Sequence, residues 1–262
     1  MENGLNTGIK AFDEMVGEVR QGEVIVIASR PGMGKTTLAL QILAKNCLDK
    51  KCLYLALLDD VAMAMENICC ILGSVNRYEN EQEIFASVDK VIDSKLNKTL
   101  HLWTFDYDFI SLNIELAKLK IEKGLDYIFI DGFQLLSPDI SANLRAKWLK
   151  DLAQSLGVTV FVTTQIKRTR DCDRIDCTTV DFHLYNYADK VLGVYRKDHF
   201  MTIEDVQRIK KGESFLCAVK NNAGKQGAIT AYFNYARCAF IENFIDEDWY
   251  KPTLNIVSIN KK

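Results

Sequence analysis

The sequence has only three prolines in 262 residues, which argues against long structureless linkers. No apolar run approaches the length of a membrane span, so no membrane partner is expected. The opening residues, MENGLNTGIK, lack a basic segment followed by an apolar stretch, so no secretory signal is expected. The eight cysteines form no C-x-x-C pair, and Cys172 and Cys177 have no matching histidine pair. They read as buried free thiols in a reducing cytosol, and a cytoplasmic location is expected. Neither sign of charge dominates: 33 Lys and Arg face 35 Asp and Glu, for a net charge of -2. Bulk charge therefore gives no nucleic-acid footprint, and any such role rests on a local patch. There is no internal repeat and no low-complexity stretch.

The composition is that of a globular chain long enough to bury a sizeable core, with 48% hydrophobic and 26% charged residues. Short apolar runs alternate with helical periodicity. Strands are expected at Glu23–Ala28, Lys51–Leu58, Leu100–Phe105, Tyr127–Asp131 and Val158–Thr164. Helices are expected at Lys35–Leu48, Val61–Leu72, Leu112–Lys123 and Ala142–Leu156. That alternation implies an α/β fold with a mostly parallel sheet covered on both faces by helices. From Lys190 the pattern changes to strands joined by turns: Lys190–Tyr195, Phe215–Asn221, Ala228–Tyr232 and Cys238–Glu242, with a turn at Asn222–Gly227. A single domain over 1–262 is expected. It divides into an opening segment (1–22), a parallel core (23–195), a C-terminal antiparallel β extension (196–250) and a tail (251–262).

The strongest motif is Ser29-Arg30-Pro31-Gly32-Met33-Gly34-Lys35-Thr36. It follows the apolar strand EVIVIA and opens the helix TTLALQILAKN, the context a phosphate loop requires. Gly32 and Gly34 let the backbone wrap close to phosphates, and the N–H groups at the helix start, through Thr36 and Thr37, point at the anion. Arg30 and Met33 complete the loop. Lys35 supplies charge to the outer phosphates, and the Thr36 hydroxyl suits Mg²⁺. ATP and Mg²⁺ are the cofactors expected. Ser29 stands where glycine or alanine is usual, a small change. About a hundred residues downstream, Tyr127–Asp131 is an apolar strand ending in a carboxylate, which places Asp131 as the second metal-side residue. Phe161-Val162-Thr163-Thr164-Gln165 ends an adjacent strand. Gln165 is either a γ-phosphate or water contact or a satisfied strand-end amide.

With these residues on the page, the chain resembles the C-terminal ATPase domain of DnaB-type replicative helicases, of the RecA-like superfamily. The resemblance runs through Thr7-Gly8-Ile9-Lys10-Ala11-Phe12, Arg30-Pro31-Gly32-Met33-Gly34-Lys35-Thr36 and Ile130-Asp131-Gly132-Phe133-Gln134-Leu135. It continues in Thr164-Gln165-Ile166-Lys167-Arg168, Ala188-Asp189, Tyr195-Arg196 and Phe233-Asn234. It implies a RecA-like fold, Mg-ATP binding and, in the family, rings that translocate on single-stranded DNA.

Four departures bear on activity. The family's water-polarising glutamate falls on Leu58; Asp59 is one residue along and substitutes only with a register shift, or Asp59-Asp60 caps a helix. The family's finger arginine falls on Asn222, while the neighbouring Lys220 is kept for action across a subunit interface and Lys225 is close by. The family's DNA-contacting loop falls on Thr178–Phe182 without its charge or glycine. A basic cluster of Lys167, Arg168, Arg170 and Arg174 is diluted by Asp171, Asp173 and Asp176. Finally, no counterpart of the family's N-terminal domain and linker helix is read, so a homo-oligomer is allowed but not implied. The resemblance thus implies a DNA-dependent ATPase or helicase with weakened hydrolysis. The alternative is a catalytically degenerate nucleotide-binding module that docks to a partner.

Overall fold

The structure, a computed structural model, describes residues 4–57, 60–73, 76–78, 97–104, 109–166, 175, 178–200 and 211–243. Their frame is one nine-stranded sheet. In chain order its strands are β1 (Val24–Ser29), β2 (Cys52–Ala56), β3 (Leu100–Thr104), β4 (Tyr127–Asp131), β5 (Thr159–Gln165), β6 (Lys190–Arg196), β7 (Glu213–Asn221), β8 (Gly227–Asn234) and β9 (Ala239–Ile241). In space the order is β3-β2-β4-β5-β1-β6-β7-β8-β9. The first six pair in parallel, and β7, β8 and β9 add antiparallel. The mostly parallel sheet with C-terminal antiparallel strands is therefore as the sequence pattern predicts.

Apart from the three-residue helical turn Asn97–Thr99, the α-helices among the described residues are α1 (Lys10–Val16), α2 (Lys35–Asn46), α3 (Val61–Gly73), α4 (Phe109–Lys123), α5 (Ala142–Leu156) and α6 (Phe182–Tyr187). Alternate residues of each strand feed two cores. Ile25, Ile27 and Phe129 join residues of α1, α2 and α3 on one face. Val24, Val26, Ile128 and Ile130 join residues of α4, α5 and α6 on the other. Covering both faces is why these strands are continuous apolar runs rather than alternating ones.

The sequence reading left out α1 and α6, both short. A cap explains the second: the Asp181 carboxylate accepts from the backbone N–H groups of His183 and Leu184. It also started α4 three residues late, because Phe109 and Ile110 sit outside the periodic run that Leu112 begins. Among the described residues, no helix is long and apolar enough to cross a membrane.

The lower edge of the sheet is tied by ion pairs. Lys190, fully buried, donates to Glu23 at 2.8 Å, and Lys150 donates to Asp189 at 2.7 Å. On the far side, β9 is joined to α2 through one buried amide. Gln41 donates to the carbonyls of Thr7 and Phe240 and accepts from the N–H of Phe240.

Candidate functional site

The carboxyl ends of β1, β4 and β5 meet the start of α2, and the chemistry gathers there. Ser29 ends β1 beside Gln165 at the end of β5. The loop then turns through Gly32 and Gly34, at φ +77 and +96, where a side chain is strained. Space is short as well: a Cβ on Gly34 would meet the buried Phe240 ring at 2.8 Å, and one on Gly32 the exposed His199 ring at 2.5 Å. Gly34 is also the N-cap of α2, and no side chain caps that helix. The amides of its first turn are thus open to an anion, with Lys35, Thr36 and Thr37 in that turn and no acid among them.

Asp131 ends β4, fully buried, between Ala56 of β2 and Thr163 of β5. Three hydroxyls donate to its carboxylate: Thr36 at 2.9 and 3.2 Å, Thr163 at 2.5 Å and Tyr54 at 3.0 Å. The structure therefore brings the loop threonine and the strand carboxylate, about a hundred residues apart in sequence, into direct contact. Paired oxygen donors of this kind suit a hard cation completed by phosphate and water. Among the described residues, no group of three or more His, Cys, Asp or Glu side chains is placed to hold a metal by itself. The donor set fits Mg²⁺ carried by a nucleotide.

Tyr54 is the donor that the sequence reading passed over, because nothing in an apolar strand marks one hydroxyl as aimed at a neighbouring strand's end. Tyr54→Phe removes a hydrogen bond to a buried charge, and we expect it to cost about 1.5 kcal/mol in urea unfolding. An unchanged midpoint would mean that the phenol does not hold Asp131.

Gln165 reaches the mouth of the loop with its side chain exposed. Its strand end is fixed by Gln134, whose amide donates to Thr164 Oγ1 at 2.8 Å and to the Gln165 carbonyl at 3.3 Å. Arg145 in turn donates to the carbonyls of Phe133, Gln134 and Leu136, which locks the turn carrying Gln134.

Beside Met33 lies a second group absent from the sequence reading except as a matched string. The Arg196 N–H donates to Met33 Sδ. Its guanidinium lies 4.2 Å from the centre of the Phe233 ring and 4.9 Å from that of Tyr235. It binds both oxygens of Asp198, which also accepts from the Tyr235 hydroxyl and the Gly212 N–H. Burial alone would raise the Asp198 carboxyl. The bonds from Arg196 and Tyr235, the Arg196 charge and the Gly212 amide outweigh it and hold the group below its ordinary range.

Other candidates fall elsewhere. Lys220 of β7 pairs with Val191, level with Val26, well below the loop. Its ammonium donates to the carbonyls of Tyr185, Asn186 and Ala188, closing the end of α6. Within this chain it is thus not brought to Lys35 and Asp131, and the reason is that β7 runs antiparallel, so its end lies at the opposite edge. Asn222 is also there, donating its N–H to the Asp189 carbonyl. Asp60 caps α3 through the Ala62 N–H. Asp59, together with Leu58 and the basic stretch 167–174, lies outside the described residues. Thr178–Val180 forms a turn leading to the Asp181 cap, with Phe182 exposed.

The sequence pattern of the family described as DnaB-like helicase C terminal domain matches residues 4–242. Among curated proteins the chain is similar to a probable plasmid replicative DNA helicase of Chlamydia psittaci. The two are 28% identical over 255 residues, covering 88% of this chain and 54% of that protein. It is also similar to the replicative DNA helicase DnaB of Buchnera aphidicola subsp. Acyrthosiphon pisum, at 25% identity with the same coverage. The chain spans about half the length of these relatives. Among solved structures, one described as an ATPase domain matches with a TM-score of 0.78 at 20% identity, over 92% of this chain and 91% of that one. A DnaB-like replicative helicase, described with its interactions with primase, matches with a TM-score of 0.76 at 21% identity, over 90% and 61%. At these identities the structural likeness speaks to the fold.

Proposed function

The chain belongs to the DnaB-like helicase C-terminal domain family, and from that premise we propose that it binds Mg-ATP at 29–36 and hydrolyses it slowly under the influence of single-stranded DNA. The observation that carries this reading is the contact between Thr36 and Asp131 at the uncapped start of α2. Bound Mg-ATP supplies a transferable phosphoryl group and a cation that neutralises charge as it leaves. The rest is positioning by the chain. The Gly32–Thr37 backbone would cradle the phosphates, and Lys35 would supply charge to the outer ones. Thr36 and Asp131 would hold the metal side. Gln165, steadied by Gln134, would contact the γ-phosphate or its attacking water. Single-stranded DNA as partner is supported by the relatives named as replicative DNA helicases.

The slow rate has a stated cause. A finger arginine is worth roughly 10³-fold or more in rate, and Asn222 stands at its position. One observation favours the second reading, a nucleotide-binding module docked to another ATPase: the Lys220 ammonium is already engaged by three carbonyls. Steady-state ATP hydrolysis with and without single-stranded DNA separates the two. Turnover stimulated by DNA supports the ATPase. Tight Mg-ATP binding without turnover supports the module, and absence of binding removes both.

A further inference from the structure

Hydroxyls hold Asp131 from the strands on both sides of it, and the pleat explains why. β4 lies between β2 and β5, and Ala56, Asp131 and Thr163 stand level across the three strands. Tyr54, two residues before Ala56, shares their face, the one that α2 covers. Tyr54 and Asp131 have no exposed surface, and Thr163 keeps 1%. The Thr163 hydroxyl donates to Asp131 Oδ1 at 2.5 Å and the Tyr54 phenol to Oδ2 at 3.0 Å. Thr36, at the mouth of the loop, donates to both oxygens, at 3.2 and 2.9 Å. Neither Tyr54 nor Thr163 lies in the motif strings that carry the family likeness.

We infer that Tyr54 and Thr163 are specificity-determining positioning residues: by clamping the Asp131 carboxylate they make the site prefer Mg²⁺ to a larger divalent cation such as Ca²⁺. The inference rests on the Mg-ATP reading above and deepens it. An ionised carboxylate offers about four lone-pair positions. In Asp131, three hydroxyls already take up most of that capacity. A carboxylate so engaged cannot turn to clasp a cation with both oxygens.

The two cations ask for different things. Ca²⁺ takes about six to eight oxygen ligands in flexible geometry, carboxylates among them in bidentate fashion. Mg²⁺ is smaller, keeps several of its waters and needs few carboxylates when phosphate oxygens are present. A fixed acceptor beside Thr36 suits Mg²⁺ and denies Ca²⁺ its closure. Removing either buried donor returns a lone pair to Asp131 and lets the carboxylate turn. A hydroxyl that merely satisfied a buried charge would change stability and leave the choice of cation alone.

The test is calorimetric titration of a non-hydrolysable ATP analogue into the purified chain with Mg²⁺, with Ca²⁺ and with a chelator. Wild type is compared with Tyr54→Phe, Thr163→Val and Thr163→Ser. Partners that orient a metal ligand are worth ~10-fold or more in metal affinity. Tyr54→Phe and Thr163→Val should therefore lose ~10-fold of their Mg²⁺-supported affinity, while Ca²⁺-supported affinity holds or rises. Thr163→Ser keeps the hydroxyl and should keep the wild-type preference for Mg²⁺. Metal-free binding should be equal in all of them, which shows that the loop is intact. If wild type, Tyr54→Phe and Thr163→Val discriminate equally between the cations, the clamp is overturned and the nucleotide reading stands. A loss by the same factor with both cations and with the chelator also overturns the clamp, because it marks lost packing. If wild type binds no analogue under any of these conditions, the Mg-ATP reading falls and the clamp with it.

Discussion

Lys35→Ala is expected to lower ATP turnover by roughly 10²–10³-fold and to weaken ATP binding in parallel. Lys35 opens α2 in the turn whose amides no side chain caps. Amide dipoles alone orient phosphates, but they do not neutralise the charge that develops on the outer phosphoryl oxygens. On the proposed reading Asn222 stands at the finger position, and the Lys220 ammonium is committed to a backbone carbonyl. Loss of Lys35 is thus harder to compensate. Hydrolysis by the purified chain, with Mg²⁺ and single-stranded DNA, reads the turnover, and titration of the nucleotide reads the affinity. A variant that keeps more than about a tenth of both would show that phosphates do not sit where the loop geometry puts them.

Lys190→Met is expected to cost about 3–5 kcal/mol of stability, because it leaves a carboxylate at the foot of the sheet with its charge partner gone. Lys190 has no exposed surface, and the Glu23 side chain keeps 11% of its own. The remaining partner of Glu23 Oε2 is the Arg20 N–H at 3.1 Å, which cannot replace a cation. For a chain of this length such a loss lowers the melting temperature by roughly 10 °C. The double variant Lys190→Met with Glu23→Leu should recover most of it, since two apolar side chains of similar volume carry no desolvation cost. Thermal and urea unfolding of the single and double variants decide the matter. A single variant within about 1 kcal/mol of wild type would mean that water reaches the pair.

The parallel core and the phosphate loop were legible because their determinants are local. A continuous apolar strand, a glycine turn and a helix lie next to one another from Glu23 to Asn46, and Asp131 closes another apolar run. The order of strands was not legible: β4 and β5 stand between β2 and β1 because of long-range packing that no window of sequence records. The same holds for Tyr54 and Arg196. Each acquires its meaning from a neighbour far away along the chain, respectively Asp131 and Phe233. The kept Lys220 shows the converse. Its motif position was legible, and its carbonyl partners on α6 were not.

The clasp between Gln41 and Phe240 also bears on how the chain is made. The helix that begins at the phosphate loop is tied to a strand almost two hundred residues later. Phe240 also packs beneath Gly34. A nascent chain leaving the ribosome can pack α2 against α3 early, since the two are close in sequence, whereas β1 and β2 wait for β4 and β5, which stand between them. It cannot seat the loop against Phe240 until nearly the whole described chain has been synthesised. On the proposed reading, nucleotide capture is therefore a late event in biogenesis, and products truncated before β9 should lack the loop's contact with Phe240.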